Sequence, residues 1–193
     1  MKIVKKLLRI VHTKISLSIR RTLRRAKPSS QIKLNLGCGS DVKFGYINVD
    51  QNPKYKPDLT GEVIPVLCSF DDETVTEILS FHLINYFSHS SLIDFLEQCF
   101  RVLKKGGELI IEGPDFQKFL VTINKTEFGP QQLYPLFATS FVGPTHEKPY
   151  INAVPFDWLR EMASEIGFNS VKIDDPLTHG GQVDRDSRLV AKK

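Results

Sequence analysis

The segment Ile32-Lys33-Leu34-Asn35-Leu36-Gly37-Cys38-Gly39-Ser40 decides the fold predicted for this chain. Its first five residues form a short, mostly apolar run that is too short for a helix, so it indicates a buried β-strand ending in a tight turn. Gly37 and Gly39 have no Cβ atom, which allows a positive φ and the close approach of a ligand. A second short run, Tyr46-Ile47-Asn48-Val49, leads into Asp50, eleven residues after Gly39.

A glycine turn after one strand and a carboxylate after the next are typical of open α/β sheets that bind a nucleoside. In such sheets the ligand lies near the strand ends, and the carboxylate, here Asp50, accepts hydrogen bonds from the ribose hydroxyls. A dinucleotide-binding turn has the pattern Gly-x-Gly-x-x-Gly, but Val42 occupies the third glycine position here. Because that glycine and the helix behind it serve a pyrophosphate, the departure favours a ligand without phosphates.

Four segments resemble, in order, motifs of the class I S-adenosylmethionine-dependent methyltransferases. Residues 34–39 resemble motif I, and residues 48–50 resemble the ribose-binding acidic end of strand two. Residues 77–87 are similar to the strand-four segment, and residues 100–111 to the helix-into-strand-five signature. The resemblance implies an α/β, Rossmann-like sheet, mostly parallel with an antiparallel last strand and with helices on both faces. The pattern looks most like the small, type 11-like methyltransferases associated with bacterial surface-polysaccharide synthesis.

The same resemblance implies S-adenosylmethionine as the cofactor and a set of residues that bind it. In the family, an acidic residue after strand three accepts a hydrogen bond from the adenine amino group, while a neighbouring backbone N–H meets the ring. Glu62 lines up with that position better than Asp58, although the spacing permits either, and a solvated turn carboxylate is the alternative. The implied cofactor-binding residues are Gly37, Cys38, Gly39, Asp50, Gln51, Glu62, Val63, Ser80 and Phe81.

Two histidines are candidates for a general base. Methyl transfer from a sulfonium is a direct displacement, which requires donor and acceptor held in line and needs no metal. A hydroxyl acceptor also requires a general base, and histidine suits this role because it titrates near neutral pH. We expect His82 just beyond the fourth strand, and His146 is similar to a histidine that many relatives carry before their last long helix; each is equally compatible with a structural role. Where the family commonly has a Glu-His pair, this chain has Asn85-Tyr86.

Length and composition indicate one domain with a short N-terminal extension. The 193 residues are 41% hydrophobic, which is enough for a buried core, and no stretch approaches the roughly 20 apolar residues of a membrane span. We assign residues 1–27 to a basic amphipathic helix and residues 28–193 to the methyltransferase-like domain. Residues 124–155 are rich in proline and aromatic residues and are expected to form a lid over the substrate. Three cysteines without a Cys-x-x-Cys spacing fit a reducing cytoplasm.

The first 27 residues concentrate the positive charge of the chain. They hold ten Lys or Arg and no acidic residue, which leaves 16 basic and 22 acidic residues in the remainder. An apolar residue recurs every four positions and predicts a helix over residues 2–25: Ile3, Leu7, Val11, Ile15, Ile19 and Leu23. Its apolar face could pack on the domain or a partner subunit, or lie in an anionic membrane surface. Nucleic-acid contact and an organelle transit peptide are further alternatives.

The methyl acceptor is the least specified part of the prediction. The Asn/Asp-Pro-Pro-Tyr sequence of nitrogen-directed adenine and glutamine methyltransferases is absent, since this chain has Ser80-Phe81-His82-Leu83 there. The small size and single lid favour a small molecule, a sugar or a lipid-linked glycan as acceptor. We expect methylation on oxygen, and a location in the cytoplasm or at the inner membrane face. The rivals are a non-catalytic methyltransferase-fold subunit or scaffold, a nucleic-acid methyltransferase, and a nucleotide-linked oxidoreductase, which needs a pyrophosphate site that residues 40–42 do not supply.

Deleting residues 1–27 is expected to lower binding to anionic liposomes without destroying cofactor binding. The reason is that the deletion removes ten cationic side chains and the apolar stripe beside them. Liposome cosedimentation of the full chain and the shortened chain measures the difference. Equal binding by both proteins would remove the membrane hypothesis.

Overall fold

A computed structural model describes residues 31–125, 151–177 and 184–193 of the chain. Three of the sequence-based expectations therefore lie outside the described residues: the helix over residues 2–25, His146, and most of the lid over residues 124–155. Within the described residues, seven strands form one sheet: β1 Ile32–Leu36, β2 Ile47–Asp50, β3 Leu59–Thr60, β4 Val75–Phe81, β5 Leu103–Pro114, β6 Ser170–Asp174 and β7 Asp186–Lys192.

The strands lie in the order β3-β2-β1-β4-β5-β7-β6. Strands β1 to β5 pair in parallel, whereas β7 lies antiparallel to both β5 and β6. This arrangement confirms the predicted fold class of a mostly parallel sheet with an antiparallel last strand. Because the chain winds outward from β1 in both directions, the carboxyl ends of β1 and β4 flank the position where open α/β sheets bind ligands.

Four helices are described: α1 Val63–Leu67, α2 His89–Val102, α3 Phe116–Lys125 and α4 Phe156–Ile166, together with short 3-10 turns at Pro53–Tyr55 and Ile84–Tyr86. Helices α1, α2 and α4 share one apolar cluster with alternate residues of the central strands. Because successive strand residues point to opposite faces, these helices cover the same face of the sheet. The largest fully buried side chains of this cluster include Leu34, Leu36, Ile78, Phe95, Ile111 and Phe156.

Helix α2 differs from its predicted bounds at both ends. The helical spacing of the apolar residues between Ser91 and Leu103 predicts a helix with Ser90 or Ser91 as N-cap, but the cap is Ser88, whose hydroxyl accepts a hydrogen bond from the Ser91 backbone N–H at 3.2 Å. The glycine pair Gly106-Gly107 after this segment predicts the end of the helix, whereas α2 ends at Val102 and β5 begins immediately. The two glycines instead pair with Lys193, through Gly106 N to Lys193 O at 2.7 Å and Lys193 N to Gly107 O at 3.0 Å.

Two buried asparagines organise the connection between β1 and β2. Asn35 and Asn48 are register neighbours, and the Asn35 Nδ2 donates to Asn48 Oδ1 at 2.9 Å and to the Asp41 carbonyl at 2.8 Å. The Asn48 Oδ1 also accepts the Lys43 backbone N–H at 2.8 Å, and its Nδ2 donates to Asp58 Oδ2 at 3.0 Å. The short sequence between β1 and β2 predicts no more than about one turn of helix within residues 40–45. This prediction is wrong, because the two amides bind the backbone of that segment in an irregular loop.

Glu77 forms a charged link between β4 and the start of the sheet. Its Oε2 pairs with Lys33 Nζ at 2.6 Å, and its Oε1 accepts a short hydrogen bond from the Tyr46 hydroxyl. Burial by itself acts to raise the pKa of Glu77, but the hydrogen bonds from Lys33 and Tyr46 outweigh it, so the pKa of this carboxyl lies below its ordinary value. Burial, and then the hydrogen bond to Glu77, raises the pKa of Tyr46 to about 12.

The Glu77→Gln variant is expected to lose about 1 kcal/mol of unfolding free energy at pH 7. Because the pKa of Glu77 is lower in the folded state, the stabilisation is present above the ordinary glutamate pKa of about 4.3 and is lost as the pH falls through the lower folded-state value. Urea unfolding of both proteins between pH 3 and pH 7 should therefore show the difference shrinking in acid. The control is Glu108→Gln, which removes the more exposed pair with Lys192 and should cost less; a difference independent of pH would contradict the assignment.

Candidate active site

The turn after β1 adopts the left-handed backbone that only glycine takes readily. Gly37 has φ +65° and Gly39 has φ +51°. A Cβ atom on Gly37 would lie 2.8 Å from Leu83 Cδ1 and 3.3 Å from Leu83 Cβ, so the absence of a side chain allows the segment after β4 to pack against the turn. A Cβ atom on Gly39 would meet nothing within 4 Å. The space above Gly39 is therefore open, as a ligand lying on this turn requires.

Asp50 connects the end of β2 to the glycine turn. Its Oδ2 accepts the Gly39 backbone N–H at 2.9 Å, and its Oδ1 accepts the Asn52 backbone N–H at 2.8 Å. A carboxylate has about four lone-pair positions, so these two bonds fix its orientation and leave acceptor capacity for a ligand's hydroxyl groups. The structure thus brings together the turn and the carboxylate that the sequence analysis predicted to act on one ligand.

Cys38 contributes shape and backbone bonding rather than thiol chemistry. Its side chain is buried, and its backbone N–H donates to the Val49 carbonyl at 3.0 Å, which joins the turn to β2. Burial, and then the negative charges of Asp50 and Asp58, raise the pKa of the Cys38 thiol to about 11. The thiol therefore stays neutral at physiological pH and is a poor nucleophile.

The residues after β2 and β3 are placed around the same end of the sheet. The Asp50 carbonyl accepts the Gly61 backbone N–H at 2.9 Å, which brings Gly61, the neighbour of Glu62 in the chain, next to the end of β2. Glu62 is exposed and is the N-cap of helix α1, whereas the Val63 side chain is buried, so Val63 can offer a ligand only its backbone. Gln51 is exposed directly after Asp50.

The alternative adenine-binding residue, Asp58, has a structural role. Its Oδ2 accepts both the Asn48 backbone N–H at 2.8 Å and the Asn48 amide N–H at 3.0 Å. Asp58 also precedes β3, whereas the family position implied by the resemblance follows that strand. Asp58 is therefore engaged in holding Asn48, whereas Glu62 is exposed after β3.

Ser80 and Phe81, the last two residues of β4, point in different directions. Ser80 is fully buried, and within the described part of the chain its Oγ has no hydrogen-bond partner. Phe81 is half-buried, and the Lys43 Nζ lies 5.4 Å from the centre of its ring. Phe81 can therefore offer an apolar surface to a ligand, while the Ser80 side chain faces the helix-covered side.

His82 lies directly beyond the carboxyl end of β4, as predicted. It has φ +52°, a conformation that costs energy for a residue with a side chain, and its backbone N–H donates to the Glu112 carbonyl at 2.8 Å. Its imidazole is one-fifth exposed, and the Nε2 lies 3.7 Å from Asp186 Oδ2. The second candidate base, His146, lies outside the described residues.

A group of buried charges next to His82 was missed by the sequence analysis. Glu112, at the end of β5, pairs with Arg188 of β7, and its Oε1 also accepts the Leu177 backbone N–H at 3.1 Å. Asp115 accepts hydrogen bonds from the Ser187 hydroxyl at 2.8 Å and from the Phe156 backbone N–H at 3.2 Å. The only available signal was the density of charged residues between positions 184 and 188, whose partners lie some 70 residues earlier in the chain.

Asn85, at the position of the family's Glu-His pair, anchors the chain that leads into α4. Its carbonyl accepts the backbone N–H groups of Ile151 and Asn152 at 2.9 and 3.1 Å, and its Nδ2 donates to the Asn152 carbonyl at 3.0 Å. The residue is fully buried. Its amide therefore has a structural task that a carboxylate, which only accepts, could not perform in the same way.

The described ranges contain neither a candidate metal site nor a candidate membrane-spanning helix. No group of three or more His, Cys, Asp or Glu side chains there could hold a metal ion. No helix in those ranges is long and apolar enough to cross a membrane.

Comparison with solved structures shows what this architecture is similar to. An S-adenosylmethionine-dependent methyltransferase of Archaeoglobus fulgidus matches with a TM-score of 0.59 at 20% identity, over 94% of each chain. A methyltransferase of the same kind from Thermotoga maritima matches with a TM-score of 0.57 at 17% identity, over 100% of this chain and 97% of the other.

A third similar structure carries ligands. It is phosphoethanolamine N-methyltransferase 2 of Haemonchus contortus in complex with phosphomonomethylethanolamine and S-adenosylhomocysteine, with a TM-score of 0.52 at 12% identity, over 89% of this chain and 51% of the other. No family model and no curated protein matches the sequence. At these identities the likeness establishes the class I methyltransferase fold.

Alanine at the two glycines of the turn is expected to have unequal effects on stability. Both substitutions force a side chain into a left-handed conformation, which costs about 1–2 kcal/mol. Gly37→Ala should cost more than Gly39→Ala, because its Cβ also meets the Leu83 side chain. Urea unfolding of both variants measures the two costs, and equal losses would show that Leu83 moves aside freely.

Proposed function

We propose that this protein is an S-adenosylmethionine-dependent methyltransferase that methylates a hydroxyl group of a small molecule, a sugar or a lipid-linked glycan. The observation that carries the proposal is the hydrogen bond from the Gly39 backbone N–H to the Asp50 carboxylate, at 2.9 Å. It places an open glycine turn and an oriented carboxylate beside each other at the carboxyl ends of adjacent parallel strands. The similar solved structures, which are methyltransferases of the same fold, support the proposal.

The residues present suit the nucleoside part of this cofactor. The open space at Gly39 admits a ligand against the backbone, and the remaining lone pairs of Asp50 suit a ribose diol. Glu62 and the backbone of Val63 would serve the adenine, and Phe81 would offer apolar contact. Gln51 and Cys38 would line the same crevice, and Ser80 would contribute its backbone.

The bound cofactor supplies a methyl group on a positively charged sulfur, which leaves as a neutral thioether. What the protein must add is alignment of the acceptor, exclusion of water, and removal of a proton when the acceptor is a hydroxyl. His82 is the proposed proton acceptor, because its imidazole lies at the strand end next to the crevice and remains partly exposed. His146 remains a second candidate on the sequence pattern alone.

Apolar side chains near the proposed acceptor side support a partly apolar acceptor. Leu177 is 78% exposed and Ile151 is 63% exposed. The Leu177 backbone N–H donates to Glu112 near the end of β5, and the Ile151 backbone N–H donates to the carbonyl of Asn85 in the turn after β4. A lipid-linked glycan combines an apolar portion with hydroxyl groups, and it would place the protein at the inner membrane face, where residues 1–25 would supply cationic contact.

One observation favours a second candidate function, a non-catalytic subunit with a methyltransferase fold. The corner that carries a Glu-His pair in many relatives is occupied here by Asn85, which is engaged in anchoring residues 151–152. A subunit of this kind would bind the cofactor weakly or not at all. Cofactor binding therefore separates the two functions.

Isothermal titration calorimetry of S-adenosylmethionine, with NAD as the comparison ligand, tests the proposal. We expect binding of S-adenosylmethionine alone, weakened at least tenfold, or about 1.4 kcal/mol, by Asp50→Asn. This variant keeps one acceptor oxygen, so the turn is less disturbed than in an alanine variant. Asp41→Ala is the matched control, because Asp41 carries an exposed carboxylate in the same loop, paired with Lys43 Nζ at 2.8 Å.

The outcomes separate the two functions. Tight binding of S-adenosylmethionine that Asp50→Asn weakens and Asp41→Ala does not would support the methyltransferase. No binding by a folded protein, checked by circular dichroism, would favour the non-catalytic subunit. Binding of NAD would overturn both proposals.

A further inference from the structure

The first two connections of the sheet contain no α-helix. A connection between parallel strands normally needs a dozen or more residues and contains a helix, whereas residues 37–46 form an irregular loop and residues 51–58 contain only a 3-10 turn. Asn35 and Asn48 alternate along their strands with residues of the apolar core cluster, so they project from the face opposite α1, α2 and α4. Their amides bind residues of both connections. The two connections therefore cross this opposite face beside β1 and β2, without a helix.

An apolar patch continues across β4, β5 and β7 on the same face. Leu79, Ile110 and Val190 are register neighbours, and each alternates with residues of the core cluster. Leu79 and Ile110 are only 6% and 7% exposed, although neither belongs to that cluster. The fourth described helix, α3, is bonded to the carboxyl edge instead, where Lys118 pairs with Asp175 after β6. We call the three apolar side chains the sheet patch.

The surroundings of the sheet patch suit one helix. Ion pairs border it toward both edges of the sheet, namely Lys33–Glu77 and Lys192–Glu108 on the amino side and Arg188–Glu112 on the carboxyl side. Three strands about 4.8 Å apart give the patch a width of about 10 Å, which is the diameter of an α-helix. Parallel strands are normally covered on both faces, so the sheet requires a cover that the first two connections do not supply.

The N-terminal segment has the length, position and pattern for this cover. It enters the sheet through β1, which pairs with β4, the first strand of the patch. A helix over residues 2–25 would be about 36 Å long, whereas the seven residues of β4 span about 23 Å. The segment also carries ten cations and no acidic residue, while the remainder of the chain has 22 acidic and 16 basic residues, so the two parts attract each other. Its apolar residues form an N-terminal stripe: Ile3, Leu7, Val11, Ile15, Ile19 and Leu23.

We propose that residues 1–27 pack on this face of the sheet, with the N-terminal stripe on Leu79, Ile110 and Val190. The segment then replaces the helices that the first two connections lack. Its cations face outward, so an anionic membrane would meet these charges rather than the stripe. The packing goes beyond the proposed activity and does not depend on it, because no residue of the sheet patch belongs to the proposed cofactor site.

A double-mutant cycle in the full chain tests the packing. One change is Leu79→Ala in the sheet patch, and the other is a stripe variant with Val11→Ser, Ile15→Ser and Ile19→Ser. Serine has a helix propensity close to that of valine and isoleucine, so the stripe variant loses mainly apolar surface. Urea unfolding should show that Leu79→Ala raises the unfolding equilibrium constant at least tenfold more in the unmodified chain than in the stripe variant, because the contact is already lost there.

Ile78→Ala is the matched control for this cycle. Ile78 precedes Leu79 on the same strand but belongs to the core cluster on the other face. Its cost should be the same in the unmodified chain and in the stripe variant. Equal costs of Leu79→Ala in the two backgrounds would overturn the packing, as would an equal coupling of the stripe with Ile78.

Methyl NMR of the full chain gives a second measurement that does not require the variants to fold with reduced stability. The Ile110 methyl signal is the one lost in Ile110→Val, a change that removes a single methylene. We expect nuclear Overhauser contacts between this methyl and an isoleucine methyl of the N-terminal stripe. Contacts of Ile110 with residues of the sheet alone would contradict the packing.

Two other occupants of the sheet patch give different results. Sedimentation equilibrium should show a monomer, and a dimer that Leu79→Ala dissociates would assign the patch to a second copy and overturn the proposal. Leu79→Ala should not weaken cosedimentation with phosphatidylglycerol vesicles. Weaker binding by this variant would assign the patch to lipid and would equally overturn the packing.

Discussion

The hydrogen bond between the amides of Asn35 and Asn48 is the constraint on which the ligand-binding edge depends. Both side chains are buried, and each also binds the backbone of the loop that leads from β1 to β2. A buried amide without partners is costly, so this loop and its two asparagines stabilise each other. With the loop fixed, the glycine turn and Asp50 come within one hydrogen bond of each other, and the crevice acquires its shape without a helix in the first crossover.

The opposite side of the crevice contains several buried charged side chains. Three carboxylates at the ends of β5 and β7 are nearly or fully buried, namely Glu112, Asp115 and Asp186. Isolated buried charges are unfavourable, and each of these has a partner of opposite charge or a set of hydrogen-bond donors. The partners come largely from β7, so the antiparallel strand completes the sheet and also neutralises the edge where an acceptor molecule would lie.

The sequence could predict what is local or periodic. The strand and turn at residues 32–39, the carboxylate at Asp50, the mostly parallel sheet with its antiparallel last strand, and the position of His82 follow from short patterns and from resemblance. It could not predict that Asn35 and Asn48 would replace a helix turn, because nothing local distinguishes a bridging asparagine from one in a solvated loop. Nor could it pair Asp186 with His82, since that contact depends on the register between β5 and β7. The N-cap at Ser88 and the position of Gly106 within β5 were not predicted. Tertiary contacts decide which of several neighbouring serines caps the helix, and whether a glycine ends a helix or continues a strand.

The position of β7 has a consequence for the order in which the sheet assembles. β7 follows β6 in the chain but lies between β5 and β6, and it pairs with residues of β5 more than 70 positions earlier. During synthesis, β5 therefore has an open edge, and β6 has no partner strand, until β7 has emerged. Such unpaired edges attract other chains, and long-range pairing of this kind is slow. The same strand that places Asp186 beside His82 thus sets the period during which a nascent molecule is most exposed to aggregation and to the action of chaperones.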